Sequence, residues 1–192
     1  IRTIHHALDA GINFVDTANF YSYGRSEETV GKALKGRRDD VILATKVRQP
    51  VRDNPKPNDQ GLSRYHIMRE VERSLSRLQT DHIDLYWLHI FDDNTPIEET
   101  LRALDDLVRS GKVRYIGCCN FPAWQLVEGL WQSDKAHLNR FVAIQNQYSL
   151  LNRWEIEPDL APACKKHKLG IVTYSPLMIG LLTGLFRHGQ PP

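Results

Sequence analysis

The sequence predicts an α/β fold of the TIM (β/α)8 barrel type, incomplete in this chain, with six of the eight strands present. Three observations predict it. Short apolar runs alternate with helical patterns along the whole chain. The runs are apolar almost without a break, which suits parallel strands buried on both faces. Polar side chains end run after run: Asp16, Lys46, His89, Asn120, Gln145 and Ser175. A barrel gathers its strand ends at one face, whereas an open doubly wound sheet concentrates polar residues near one switch point. No G-x-G-x-x-G follows the first run, where a dinucleotide-binding open sheet would carry it.

Each element has its own local reason. Residues 1–10 read as a helix with Ile1, Ile4 and Leu8 on one face. The runs that read as strands are Ile12–Val15, Val41–Thr45, Ile83–His89, Val113–Cys118, Phe141–Gln145 and Gly170–Tyr174. Ser26 is the expected cap of the second helix, with Glu27 and Glu28 in its first turn and Gly36 as its stop. Residues 65–78 carry Ile67, Val71, Leu75 and Leu78 at helical spacing. Thr95, Pro96 and Glu98 spell a capping box with proline in the first helical position, and that helix stops at Gly111. Helices over 122–131 and 158–167 complete the series. The longest connection, 47–64, follows the strand bearing Lys46 and is expected to shape a substrate pocket.

The 192 residues suffice for one domain with a real core, spanning 1–192. Both ends read as cut. The chain opens inside a helix and stops at Gly189-Gln190-Pro191-Pro192 in loop-like sequence. A closed barrel sets its first and last strands side by side. A piece without them would bare two apolar edges, and it is expected to be poorly soluble or molten. The net charge of +2 makes no electrostatic case for nucleic acid or a membrane surface as partner. Cys118, Cys119 and Cys164 are odd in number and show no CxxC spacing, which argues against disulfides and zinc. No metal site, transmembrane segment or signal peptide is read, and a cytoplasmic setting is expected.

Asp16, Tyr21, Lys46 and His89 together suggest proton transfer to a carbonyl oxygen. A phenol donates poorly at neutral pH, but an ammonium within reach stabilises the phenolate. Lys46 can supply the ammonium, and Asp16 can hold that charge in place. His89 can polarise the carbonyl oxygen. No side chain donates hydride, so a reduction needs a nicotinamide cofactor. Each residue alone has an ordinary alternative: a turn aspartate, a packing tyrosine, a snorkelling lysine, a structural histidine. Tyr23, two residues from Tyr21, is a second candidate phenol.

In order, these motifs resemble the aldo-keto reductases over nearly the whole chain. They are Gly11-Ile12-Asn13-Phe14-Val15-Asp16-Thr17-Ala18 with Tyr21, Gly24, Ser26 and Glu27; Ala44-Thr45-Lys46; Asp84-Leu85-Tyr86-Trp87-Leu88-His89; Gly111–Gly117 leading to Asn120-Phe121; Gln145 before Tyr148; and Tyr174-Ser175-Pro176-Leu177 with Leu182-Thr183-Gly184. The resemblance implies reduction of a small aldehyde or ketone by NADPH, with Tyr21 as the proton donor. It implies that Asn120 and Gln145 bind the nicotinamide carboxamide and that Tyr174 stacks on the ring. It further implies that Ser175, Pro176 and Leu177 run along the pyrophosphate. Cys119 stands where the family usually has serine, a weaker hydrogen-bond partner beside the carboxamide. The family's adenosine 2′-phosphate site lies beyond the residues present, so NADP rests on the resemblance alone. Potassium-channel β subunits resemble the same family, which makes a regulatory subunit the second reading. Oligomeric state is not legible. Trp87 is expected to point away from the site and pack the barrel.

Overall fold

The computed structural model describes residues 1–186 and residue 189, so the loop-like ending at 190–192 lies outside them. The six apolar runs form one parallel sheet in which each strand pairs with the next in sequence. The strands are β1 (Phe14–Asp16), β2 (Ile42–Val47), β3 (Ile83–Leu88), β4 (Val113–Cys119), β5 (Phe141–Gln147) and β6 (Gly170–Tyr174). Six helices intervene: α1 (Arg2–Asp9), α2 (Arg25–Leu34), α3 (Arg64–Leu78), α4 (Ile97–Arg109), α5 (Ala123–Ala136) and α6 (Leu160–His167). The sheet curls with the helices between its strands, an incomplete TIM barrel. Strand order without a reversal excludes the doubly wound alternative.

Alternation along each strand divides the core in two. On β2, Leu43 and Val47 face the helices and join the large outer core with Ile67, Tyr86, Leu88, Leu101 and Ile116. Ala44 faces inward, in a small cluster with Leu85, Trp87, Cys119 and Ala143. Each fully buried Leu or Ile contributes roughly 1.5–3 kcal/mol, so the outer layer carries most of the stability. Trp87 corrects the expectation that it points away. Residues 87 and 89 are two apart and leave the strand on one face. The ring of Trp87 lies against Gly117 of β4, where an added Cβ would come within 2.4 Å of it and 2.7 Å of the Ala143 carbonyl.

Two expected helix caps are made otherwise. Gly24, left-handed at φ 89°, precedes α2, while the Ser26 hydroxyl bonds that of Thr17 at 2.7 Å. Thr95 gives its hydroxyl to Asp92 at 2.9 Å instead of capping α4, and Glu98 pairs with Arg102. A short polar side chain bonds wherever a better partner stands, and here tertiary partners outcompete the helix end. Ser63 does cap α3, accepting the His66 N–H at 3.3 Å.

A buried ionic web ties α2, α3 and β2 together. Glu27 of α2, fully buried, accepts the Thr45 hydroxyl at 2.6 Å and the Arg77 Nε–H at 2.6 Å. Arg77 also donates to Glu70 at 2.6 Å. Thr45 precedes Lys46, so this web fixes the strand end that carries the amine.

Candidate active site

The structure brings the four strand-end residues to one face of the barrel. Asp16 ends β1, and Lys46 lies near the end of β2. The Lys46 ammonium is almost wholly buried, donates to an Asp16 carboxylate oxygen, and donates to the Thr17 carbonyl at 2.8 Å. The second Asp16 oxygen accepts the Trp87 indole N–H at 3.0 Å. Both carboxylate oxygens are thus held, one by charge and one by a neutral donor, and the acid cannot swing away from the lysine. The Trp87 bond spans from β3 to β1 across β2, and no sequence spacing announces it.

Tyr21 enters from the turn after β1. Ser22, Tyr23 and Gly24 follow it with φ of 50°, 56° and 89°. Consecutive left-handed residues store strain, and such strain collects at functional turns. The turn sets the Tyr21 ring with its centroid 5.0 Å from the Lys46 ammonium and 5.9 Å from the His89 ring. Tyr23 leaves the other way: it is 63% exposed, and its hydroxyl donates to Asp53 at 3.1 Å.

His89 follows β3, with its main-chain N–H on the Val47 carbonyl at 3.0 Å. Burial first, then the nearby Lys46 and Arg48 cations, pull its pKa down to about 4. The imidazole is therefore neutral at pH 7. Its Nδ1 is buried without a partner among the described residues. The folded value lies below the ordinary ~6.5, so the unfolded chain takes the proton first as pH falls. The stability that neutral His89 supports is complete above that value and is lost as pH drops through about 4. Accordingly, His89→Gln should flatten the acid limb of stability across this window in urea melts of the intact protein. An unchanged limb would show that His89 is not held neutral.

Asn120, Gln145 and Tyr174 adjoin these groups. Asn120, left-handed at φ 60°, donates from Nδ2 to the His89 carbonyl at 3.0 Å. Its Oδ1 accepts the Tyr174 hydroxyl at 2.8 Å. Gln145 is nearly buried, with its Oε1 3.9 Å from the Cys119 thiol. Burial pushes that thiol far above its usual range, only partly countered by Lys46, so Cys119 stays protonated and unreactive. Ser175 sits at φ 53° in a turn closed by the Met178 N–H on its carbonyl at 2.9 Å, with Pro176 and Leu177 exposed. Among the described residues no group of three His, Cys, Asp or Glu could hold a metal ion, and no helix is long and apolar enough to cross a membrane.

The family model described as "Aldo/keto reductase family" matches residues 1–192. The chain belongs to the aldo/keto reductase family. It is 47% identical over 192 residues to "Uncharacterized oxidoreductase YrpG" of Bacillus subtilis, covering 95% of this chain and 59% of that one. It is 44% identical to "Aldo-keto reductase YhdN" of the same organism, covering 96% of this chain and 54% of that one. It is also 37% identical to "Probable voltage-gated potassium channel subunit beta" of Arabidopsis thaliana, covering 96% of this chain and 56% of that one. The chain thus spans little more than half the length of these relatives.

Residue patterns had pointed to Asp16, Lys46, His89 and Tyr21. They had not pointed to Trp87 or the Thr17 carbonyl as partners of the ion pair. The period-2 spacing of Trp87 and His89 was the available signal for the first, and a main-chain acceptor leaves none for the second.

Proposed function

We propose that the protein containing this chain reduces an aldehyde or ketone to an alcohol with NADPH, and that Tyr21 donates the proton. The observation that carries this reading is the convergence of Tyr21, the Asp16–Lys46 ion pair and neutral His89. Proton donation leaves negative charge on the phenol oxygen. The Lys46 ammonium beside the ring stabilises that charge, and the Asp16 carboxylate holds the ammonium in place. His89, neutral and half-buried, has ring nitrogens to bind and orient the carbonyl oxygen.

The residues present fit a nicotinamide. A carboxamide needs one donor and one acceptor. Asn120 keeps one N–H and one oxygen lone pair after its bonds to His89 and Tyr174, and the Gln145 Nε2 makes no bond among the described residues. Tyr174 would stack on the ring, and Ser175, Pro176 and Leu177 would run along the pyrophosphate. When bound, the cofactor supplies the hydride that goes to the carbonyl carbon. The test is NADPH consumption by the intact protein with a simple aromatic aldehyde. Turnover supports the reading, and its absence sinks it. Co-purification with a membrane channel in that case would favour a regulatory subunit, the reading that the likeness to a potassium channel β subunit favours.

A further inference from the structure

Arg48 is the arginine among the described residues that is partly shielded from water and yet makes no ion pair. The others either pair with a carboxylate or, like Arg2, Arg25 and Arg114, lie exposed. A partly shielded guanidinium that makes no direct ion pair is costly, and Asp92, the carboxylate whose field it shares, does not bond it. The backbone adds to it: Arg48 sits at φ 143°, a region that favours glycine. Two contacts hold it there. Its carbonyl accepts the Gly61 N–H at 2.9 Å, and its Nε donates to the Phe91 carbonyl at 3.2 Å. Both Nη groups remain free of bonds to the described residues. Arg48 borders a cavity of about 340 Å³ whose polar lining includes Asn58, Gln60, Asn94 and Thr95.

This cavity lies between the loops that follow β2 and β3, the strands leading to Lys46 and His89. Arg48 is two residues past Lys46, and its charge reaches the His89 ring. One carboxylate, Asp92, also lines the cavity, but its oxygens are committed. They accept the Leu62 N–H at 2.7 Å, the Thr95 hydroxyl at 2.9 Å and the Asn94 N–H at 3.2 Å. Burial opposes the charge on Asp92, and these bonds, with the field of Arg48, outweigh it. Asp92 therefore ties the two loops together, and the Arg48 fork is the group left to meet a ligand.

We propose that Arg48 is a specificity-determining residue, receiving a carboxylate borne by the carbonyl substrate at a distance from the reacting carbon. The inference rests on the reductase reading above and names the substrate class within it. Guanidinium and carboxylate match in charge and in planar geometry, which lysine does not reproduce. The test uses the intact protein with two aldehydes of similar size, 4-carboxybenzaldehyde and 4-methylbenzaldehyde. The wild type is expected to favour the carboxylated one at least tenfold in kcat/KM. Arg48→Gln should cut that ratio at least tenfold, chiefly through KM, with Arg48→Lys falling between. A wild type without preference, or a ratio that Arg48→Gln does not move, overturns the proposal. Benzoate binding by calorimetry gives an answer independent of turnover. Binding that weakens tenfold in Arg48→Gln supports the proposal even where no aldehyde is reduced, and equal binding by both proteins overturns it. Thermal melts of both variants show that each is folded when compared.

Discussion

Tyr21→Phe in the intact protein should lower kcat/KM for aldehyde reduction by about 10²–10⁴-fold, the range that a positioned acid supplies. Stability should move by no more than about 0.5 kcal/mol, because the ring is partly exposed and its hydroxyl makes no bond among the described residues. The ring can stay beside Lys46 and His89 in the variant, so only the proton is lost. NADPH consumption and a thermal melt, run side by side, check both halves. Full activity in Tyr21→Phe would remove the proton-donor role. Tyr23→Phe is the matched control, since that phenol faces Asp53.

Lys46→Met should hurt in both respects. It leaves Asp16 facing an apolar side chain with only the Trp87 indole as donor. Breaking a buried pair costs about 3–5 kcal/mol, and Asp16 reaches some solvent, so about 3 kcal/mol is expected. Asp16→Asn alone should cost a comparable amount, because it strands a buried ammonium. The double variant Lys46→Met with Asp16→Asn should cost less than the sum, since no unpaired charge remains. Urea denaturation of the four proteins reads the coupling directly. Additive losses would mean that the two side chains do not act as a pair.

Much of this site was legible because strand periodicity is local. An apolar run ends where the chain leaves the sheet, so the residue just past it is set at the barrel rim by the run itself. His89 follows from that rule, Asp16 and Lys46 lie in the last residues of their strands, and the resemblance separates Tyr21 from Tyr23. What escaped is what depends on partners far along the chain. Glu27 reads as an ordinary first-turn acid, yet its partners are Thr45 and Arg77. Ser26 and Thr95 read as caps, and tertiary acceptors claimed them. Arg48 stands out only when the carboxylates around it have been placed, because its defining property is the absence of a direct ion pair.

The Trp87 bond to Asp16 has an optical consequence. The chain has four tryptophans, and Trp124, Trp131 and Trp154 are 65%, 57% and 68% exposed. Trp87 alone is fully buried, with its indole N–H committed to the acid of the ion pair. An indole in a dry, fixed setting emits at shorter wavelength than one in water and is shielded from dissolved quenchers. The blue, quencher-resistant part of the intrinsic fluorescence thus comes from a ring one hydrogen bond from the Asp16–Lys46 pair.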